Sequence, residues 1–97
     1  MANKRHPFTA NLTLTVADTE YSYEFPQGTV SIYLKARSNY RIKASWQEGQ
    51  SGSVYMSIGE GSSLSEDGLY IQGRAALKIY AQCSVAGEVL ELSGWRE

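Results

Sequence analysis

From Asn11 the chain alternates between apolar and polar residues. Leu12, Leu14 and Val16 share one parity and Thr13 and Thr15 the other, the period of a strand with one buried face. The pattern returns at residues 20–25, where Tyr21, Tyr23 and Phe25 alternate with Ser22 and Glu24, and Asp18-Thr19 between the two segments predicts a hairpin. Phe25-Pro26-Gln27-Gly28 places Pro second and Gly fourth, which fits a type I turn. Residues 29–37 give the clearest strand, with Val30, Ile32, Leu34 and Ala36 against Ser31, Tyr33, Lys35 and Arg37. After Ser38-Asn39, residues 40–46 resume the alternation with Tyr40, Ile42, Ala44 and Trp46, so these two strands are expected to pair.

Residues 47–52 lack apolar content and read as a loop before a fifth strand marked by Val54, Met56 and Ile58. Gly/Ser-rich and acidic stretches then bracket a lone Leu64, and both read as loop. Leu69-Tyr70-Ile71 reads as a short sixth strand, residues 75–83 as a seventh, and residues 88–95 as an eighth after an Ala86-Gly87 turn. In the eighth, Leu90 and Leu92 oppose Val89, Glu91 and Trp95. No segment repeats apolar residues at helical spacing, so the expected fold class is all-β. About eight short strands, each with one apolar face, must cover that face with a second sheet. This predicts a two-sheet antiparallel sandwich, jelly-roll-like, with other Greek-key orders open. Ninety-seven residues suit one such domain. Residues 1–8 carry charge and Pro without periodicity and read as a flexible N-terminal arm, with the sandwich spanning 9–97.

Composition then narrows the chemistry. Nine Lys/Arg against ten Asp/Glu leave a net charge of -1, which gives no general attraction to polyanions. There is one Cys, so no internal disulfide can form. No apolar run reaches signal-peptide or membrane-span length, and synthesis in a cytoplasm is expected. The single His6 lies in the arm and Cys83 at a strand end, which leaves too few bases, nucleophiles and soft ligands for nucleophilic catalysis or zinc. Glu60, Glu66 and Asp67 match no calcium-loop spacing, and neither Glu66 with Asp67 nor Glu88 with Glu91 stands out as a catalytic carboxylate pair. The expectation is a protein that is not an enzyme, with no catalytic or metal residues and no cofactor.

What remains is surface. Tyr33, Tyr55 and Tyr80 oppose the aliphatic parity of their strands, which places amphipathic rings outward, where they favour interfaces. Lys35, Arg37, Arg41 and Lys43 would form one basic patch if their strands pair, and Glu66 and Asp67 could meet that patch on a neighbouring copy. These nine residues are the candidate partner contacts.

The segments Tyr21–Thr29, Val30–Arg37, Val54–Ile58 and Glu66–Ile71, with their PxG and EDG turns behind a polar arm, resemble small all-β virion structural proteins of tailed bacteriophages. The resemblance extends over residues 11–95 and lies in texture, with no single diagnostic motif. It implies a capsid decoration or cement protein, or a related head or tail component, located in the virion, self-associating or bound to other virion proteins. Two other functions stay open. One is a carbohydrate-binding sandwich using exposed Tyr33, Tyr55 or Trp95; the other, less favoured given the net charge, is single-stranded nucleic-acid binding through the basic strand pair.

Overall fold

The computed structural model describes residues 6–38, 40–59, 63–66 and 77–96. They form two four-stranded antiparallel sheets and no helix, hence no helix able to cross a membrane. The strands are β1 (His6–Leu14), β2 (Tyr21–Glu24), β3 (Thr29–Ala36), β4 (Ile42–Ser45), β5 (Met56–Ile58), β6 (Ser63–Glu66), β7 (Lys78–Cys83) and β8 (Glu88–Arg96). Sheet A has the order β1-β8-β3-β6 and sheet B the order β2-β7-β4-β5.

The pairing is nested: β1 with β8, β2 with β7, β3 with β6, β4 with β5. The chain is therefore one long two-stranded ribbon that passes from sheet A to sheet B, back to sheet A and again to sheet B, closing at the loop between β4 and β5. Neither expected hairpin exists. β1 and β2 lie in different sheets, as do β3 and β4. Alternation fixes which face of a strand is buried, and both outcomes bury the same face. Connections as short as residues 15–20 can bridge sheets ~10 Å apart, because each extended residue spans about 3.3–3.6 Å. Where the outer ribbon crosses, Asp18 N–H donates to Cys83 C=O at 2.8 Å and Gly87 N–H to Leu14 C=O at 2.8 Å, tying the two crossing connections together.

Parity organises the core as expected. Ile32, Leu34 and Ala36 of β3 and Leu90 and Leu92 of β8 are buried in sheet A, facing Ile42, Ala44, Ile79, Ala81 and Cys83 of sheet B. Phe25 follows β2 and closes one end, its ring 5.1 Å from Tyr23 and 6.3 Å from both Phe8 and Trp46. Cys83 is a free, buried thiol directed at the Arg41 carbonyl.

Four local expectations change. Residues 6–8 are not an arm: His6 pairs with Arg96, Pro7 with Trp95 and Phe8 with Gly94, because Phe8 continues the inward parity of Ala10, Leu12 and Leu14. Val16 lies beyond the end of β1 and is exposed. The turn sits one residue later than expected: Thr29 N–H donates to Pro26 C=O and Gly28 takes φ 85°, so glycine occupies the third position, which needs positive φ, and the turn has type II character. Residues 63–66, expected as loop, form β6; their order comes from the β3 backbone, with Leu64 opposite Leu34. The strand expected at residues 69–71 falls outside the described residues.

Candidate functional site

The two sheets present different outer faces. On sheet A, cross-strand partners stack in rows: Pro7, Trp95 and Ser31; then Thr9, Ser93 and Tyr33; then Asn11, Glu91 and Lys35. The third strand parity therefore brings Tyr33 and Lys35 beside residues far away in sequence. Tyr33 and Trp95 are 44% and 48% exposed and stand diagonally across β3 and β8, a separation of about 7–8 Å in such ladders. Half-buried Ser93 and Glu91 form the floor of a depression of about 420 Å³, walled by Thr9 and Asn11 on one side and Tyr33, Lys35 and Arg37 on the other. The Arg37 Nε donates to Glu91 Oε2 at 2.9 Å.

On sheet B the loop between β4 and β5 folds over the outer face and is latched there by Glu20. Its carboxylate accepts from Gly49 N–H at 2.8 Å, from Ser51 N–H at 3.1 Å and from the Ser51 hydroxyl, and Gln82 Nε2 donates to the same hydroxyl at 2.9 Å. Gly49, at φ 78°, supplies the left-handed residue that lets the loop present its N–H groups to one carboxylate. Ser51 is fully buried although polar, and its N–H and hydroxyl are both hydrogen-bonded inside the latch. Burial pushes the Glu20 carboxyl up, but the Ser51 hydroxyl and the Gly49 and Ser51 amides outweigh it and hold the group below its usual range.

A carboxyl depressed by folding stabilises above its unfolded pKa and loses that contribution as pH falls through the folded value. Acidification through the carboxylate range is thus expected to release the loop. Amide-exchange protection of Gly49 and Ser51 should collapse with falling pH in the wild type. In Glu20→Gln, protection should be low from the outset and show no such step; equal protection in both proteins would refute the latch.

The nine candidate contact residues are dispersed. Tyr33, Lys35 and Arg37 share the outer face of sheet A. Lys43 and Tyr80 belong to sheet B and Tyr55 to the loop just before β5: the Lys43 ammonium lies 5.1 Å from the Tyr55 ring centre, and half-buried Tyr80 sits between Ser22 and Ser45. Arg41 is exposed in the connection between the sheets. The single basic patch does not form, because the strands meant to carry it are in opposite sheets. Of the acidic pair, Glu66 belongs to β6 and Asp67 lies outside the described residues. Glu88 and Glu91 have opposite parity on β8, and Glu91 alone is on the outer face. The expected sites missed Thr9, Asn11 and Ser93, whose neighbours are set by strand pairing and not by alternation, and Glu20, whose partners come from the β4–β5 loop.

At the closed tip of the ribbon, Trp46, Val54, Tyr55 and Met56 line an apolar depression of about 280 Å³. Val54 is 61% exposed and Tyr55 42%, so the latched loop carries an apolar patch outward that its own core does not cover. Compared with known proteins, the chain matches no family model, no curated protein and no solved structure.

Proposed function

We propose that the chain is a non-enzymatic structural component of a bacteriophage virion, a head decoration or cement protein or a related head–tail part, acting by protein–protein contact. One observation carries the contact reading: the apolar depression at the ribbon tip, with Trp46, Tyr55 and Met56 around it and Val54 at its rim. Aromatic and Met side chains at an exposed concave patch supply the anchor pockets that interfaces use. The virion setting draws on the resemblance of the strand and turn segments to phage structural proteins. It also draws on the nested strand order, which is that of jelly rolls, a fold shared by capsid and lectin domains.

Val54→Asp tests the placement. As an exposed substitution it should leave stability within about 0.5 kcal/mol. It should lower co-sedimentation with purified virions of the phage encoding the chain at least ~10-fold, equivalent to about 1.4 kcal/mol of contact energy. Wild-type chain that is strictly monomeric by light scattering and sediments apart from virions would overturn the proposal, and unaltered co-sedimentation of Val54→Asp would overturn this placement of the contact.

A further inference from the structure

The outer face of sheet A carries chemistry that the contact at the ribbon tip does not use. Its depression follows β8 for two rows, with hydroxyls at Thr9 and Ser93, an amide at Asn11 and the Tyr33 ring rising from β3. Trp95 continues the same line at one end, exposed and two residues from Ser93 on the same face. Two exposed rings flanking short groups that both donate and accept suit a ligand with apolar C–H faces and hydroxyl rims. The volume, about 420 Å³, lies within the range of small-molecule sites and accommodates one or two sugar rings.

Charge selects the sugar. Glu91 lies opposite Lys35 in register, yet its ion pair is with Arg37. Among the described residues that line the depression, two cations stand against one anion, and the Lys35 ammonium has no ion pair there. An ammonium over a groove of hydroxyl and amide groups is complementary to a carboxylate on the ligand. It does not match a phosphodiester polymer, which needs a row of cations.

We propose that the outer face of sheet A is a binding site for a carboxylated saccharide, with Tyr33 stacking on the sugar, Lys35 pairing with its carboxylate, and Thr9, Asn11 and Ser93 bonding its hydroxyls. Trp95 extends the platform to the next unit. The site is independent of the ribbon-tip contact, so Val54→Asp leaves it intact, and either proposal can fail without the other.

The experiment titrates the full chain, by calorimetry and by amide chemical shifts, with tetragalacturonic acid and with its fully methyl-esterified form. The acid is expected to bind at least ~10-fold more tightly than the ester, a difference of about 1.4 kcal/mol. Lys35→Gln should bring the acid down to the affinity of the ester and leave the ester unchanged. Tyr33→Ala should weaken both, and the shifts should map to β1, β3 and β8. Both positions are exposed, so a thermal midpoint within a few degrees of wild type certifies the variants. Acid and ester binding alike, an absence of saturation by the acid, tighter binding of an oligothymidylate or a tetraglutamate peptide, or indifference to Tyr33→Ala would each overturn the proposal.

Discussion

Phe25→Ala, which truncates the largest fully buried side chain among the described residues, is expected to lower the thermal midpoint by on the order of 15–30 °C. Phe25 is 1% exposed and packs against Tyr23, Phe8 and Trp46 at ring separations of 5.1–6.3 Å. These rings come from three different parts of the ribbon: Phe8 from β1, Tyr23 from β2, and Trp46 from the start of the latched loop. Removing the central ring leaves a cavity that none of the three can fill, since each is held by its own strand or loop. Such truncations cost about 3–5 kcal/mol, against ~5–15 kcal/mol of total stability for a domain of this kind. The Phe25 N–H also bonds the Leu77 carbonyl at 2.8 Å, so the backbone is pinned and cannot collapse into the void. Thermal denaturation followed by circular dichroism measures the effect. Tyr33→Ala, which removes an equally large ring from an exposed position, is the control and should move the midpoint little. A Phe25→Ala midpoint within about 5 °C of wild type would mean that the aromatic cluster does not close the core.

The inward parity of β3, β7 and β8 was legible from the sequence because a sandwich strand writes its buried face into every second residue. Ile32, Leu34, Ile79, Leu90 and Leu92 are all buried where alternation put them. The partner of each strand was not legible, since nothing in the period of β1 distinguishes a neighbour at residues 21–24 from one at residues 88–96. Turn chemistry failed at Pro26 for a related reason: Pro prefers the second turn position, but Gly28 is the residue that tolerates positive φ, and the glycine requirement decided the register. β6 could not be read at all, because Ser63-Leu64-Ser65-Glu66 has one apolar residue and owes its strand to pairing with β3. The same logic governs the sites. The outward direction of Tyr33 and Lys35 follows from parity alone, whereas their meeting with Thr9, Asn11 and Ser93 depends on β8 inserting between β1 and β3. Glu20 was invisible because the groups it binds are 29 and 31 residues away in a loop without any pattern.

Gly94→Ala is the second large effect, and its sign needs argument. Replacing glycine in a strand by alanine ordinarily stabilises by about 0.4–1 kcal/mol, because the unfolded chain loses freedom. Gly94 does not take a positive φ, so backbone strain does not oppose the change. Space does. A Cβ at this position would run into the Ser31 carbonyl oxygen and stand 2.9 Å from Phe8 Cζ. The first of these is backbone, at the place where the register of β3 against β8 shifts between Thr29 and Ser31. Relief therefore requires β3 to move away from β8 while Phe8 gives up its place beside Phe25. Forced overpacking of this sort costs about 1–3 kcal/mol or more, which outweighs the entropic gain. The expected result is a net loss of ~1–2 kcal/mol, measured as a lower urea midpoint. The double variant Phe8→Ala/Gly94→Ala separates the two clashes. Truncating Phe8 removes the side-chain clash and leaves the Ser31 carbonyl in place. Adding Gly94→Ala to Phe8→Ala should thus cost less than adding it to wild type, yet still destabilise. If Gly94→Ala proves stabilising in either background, β3 and β8 are not held together at this point as closely as the geometry requires.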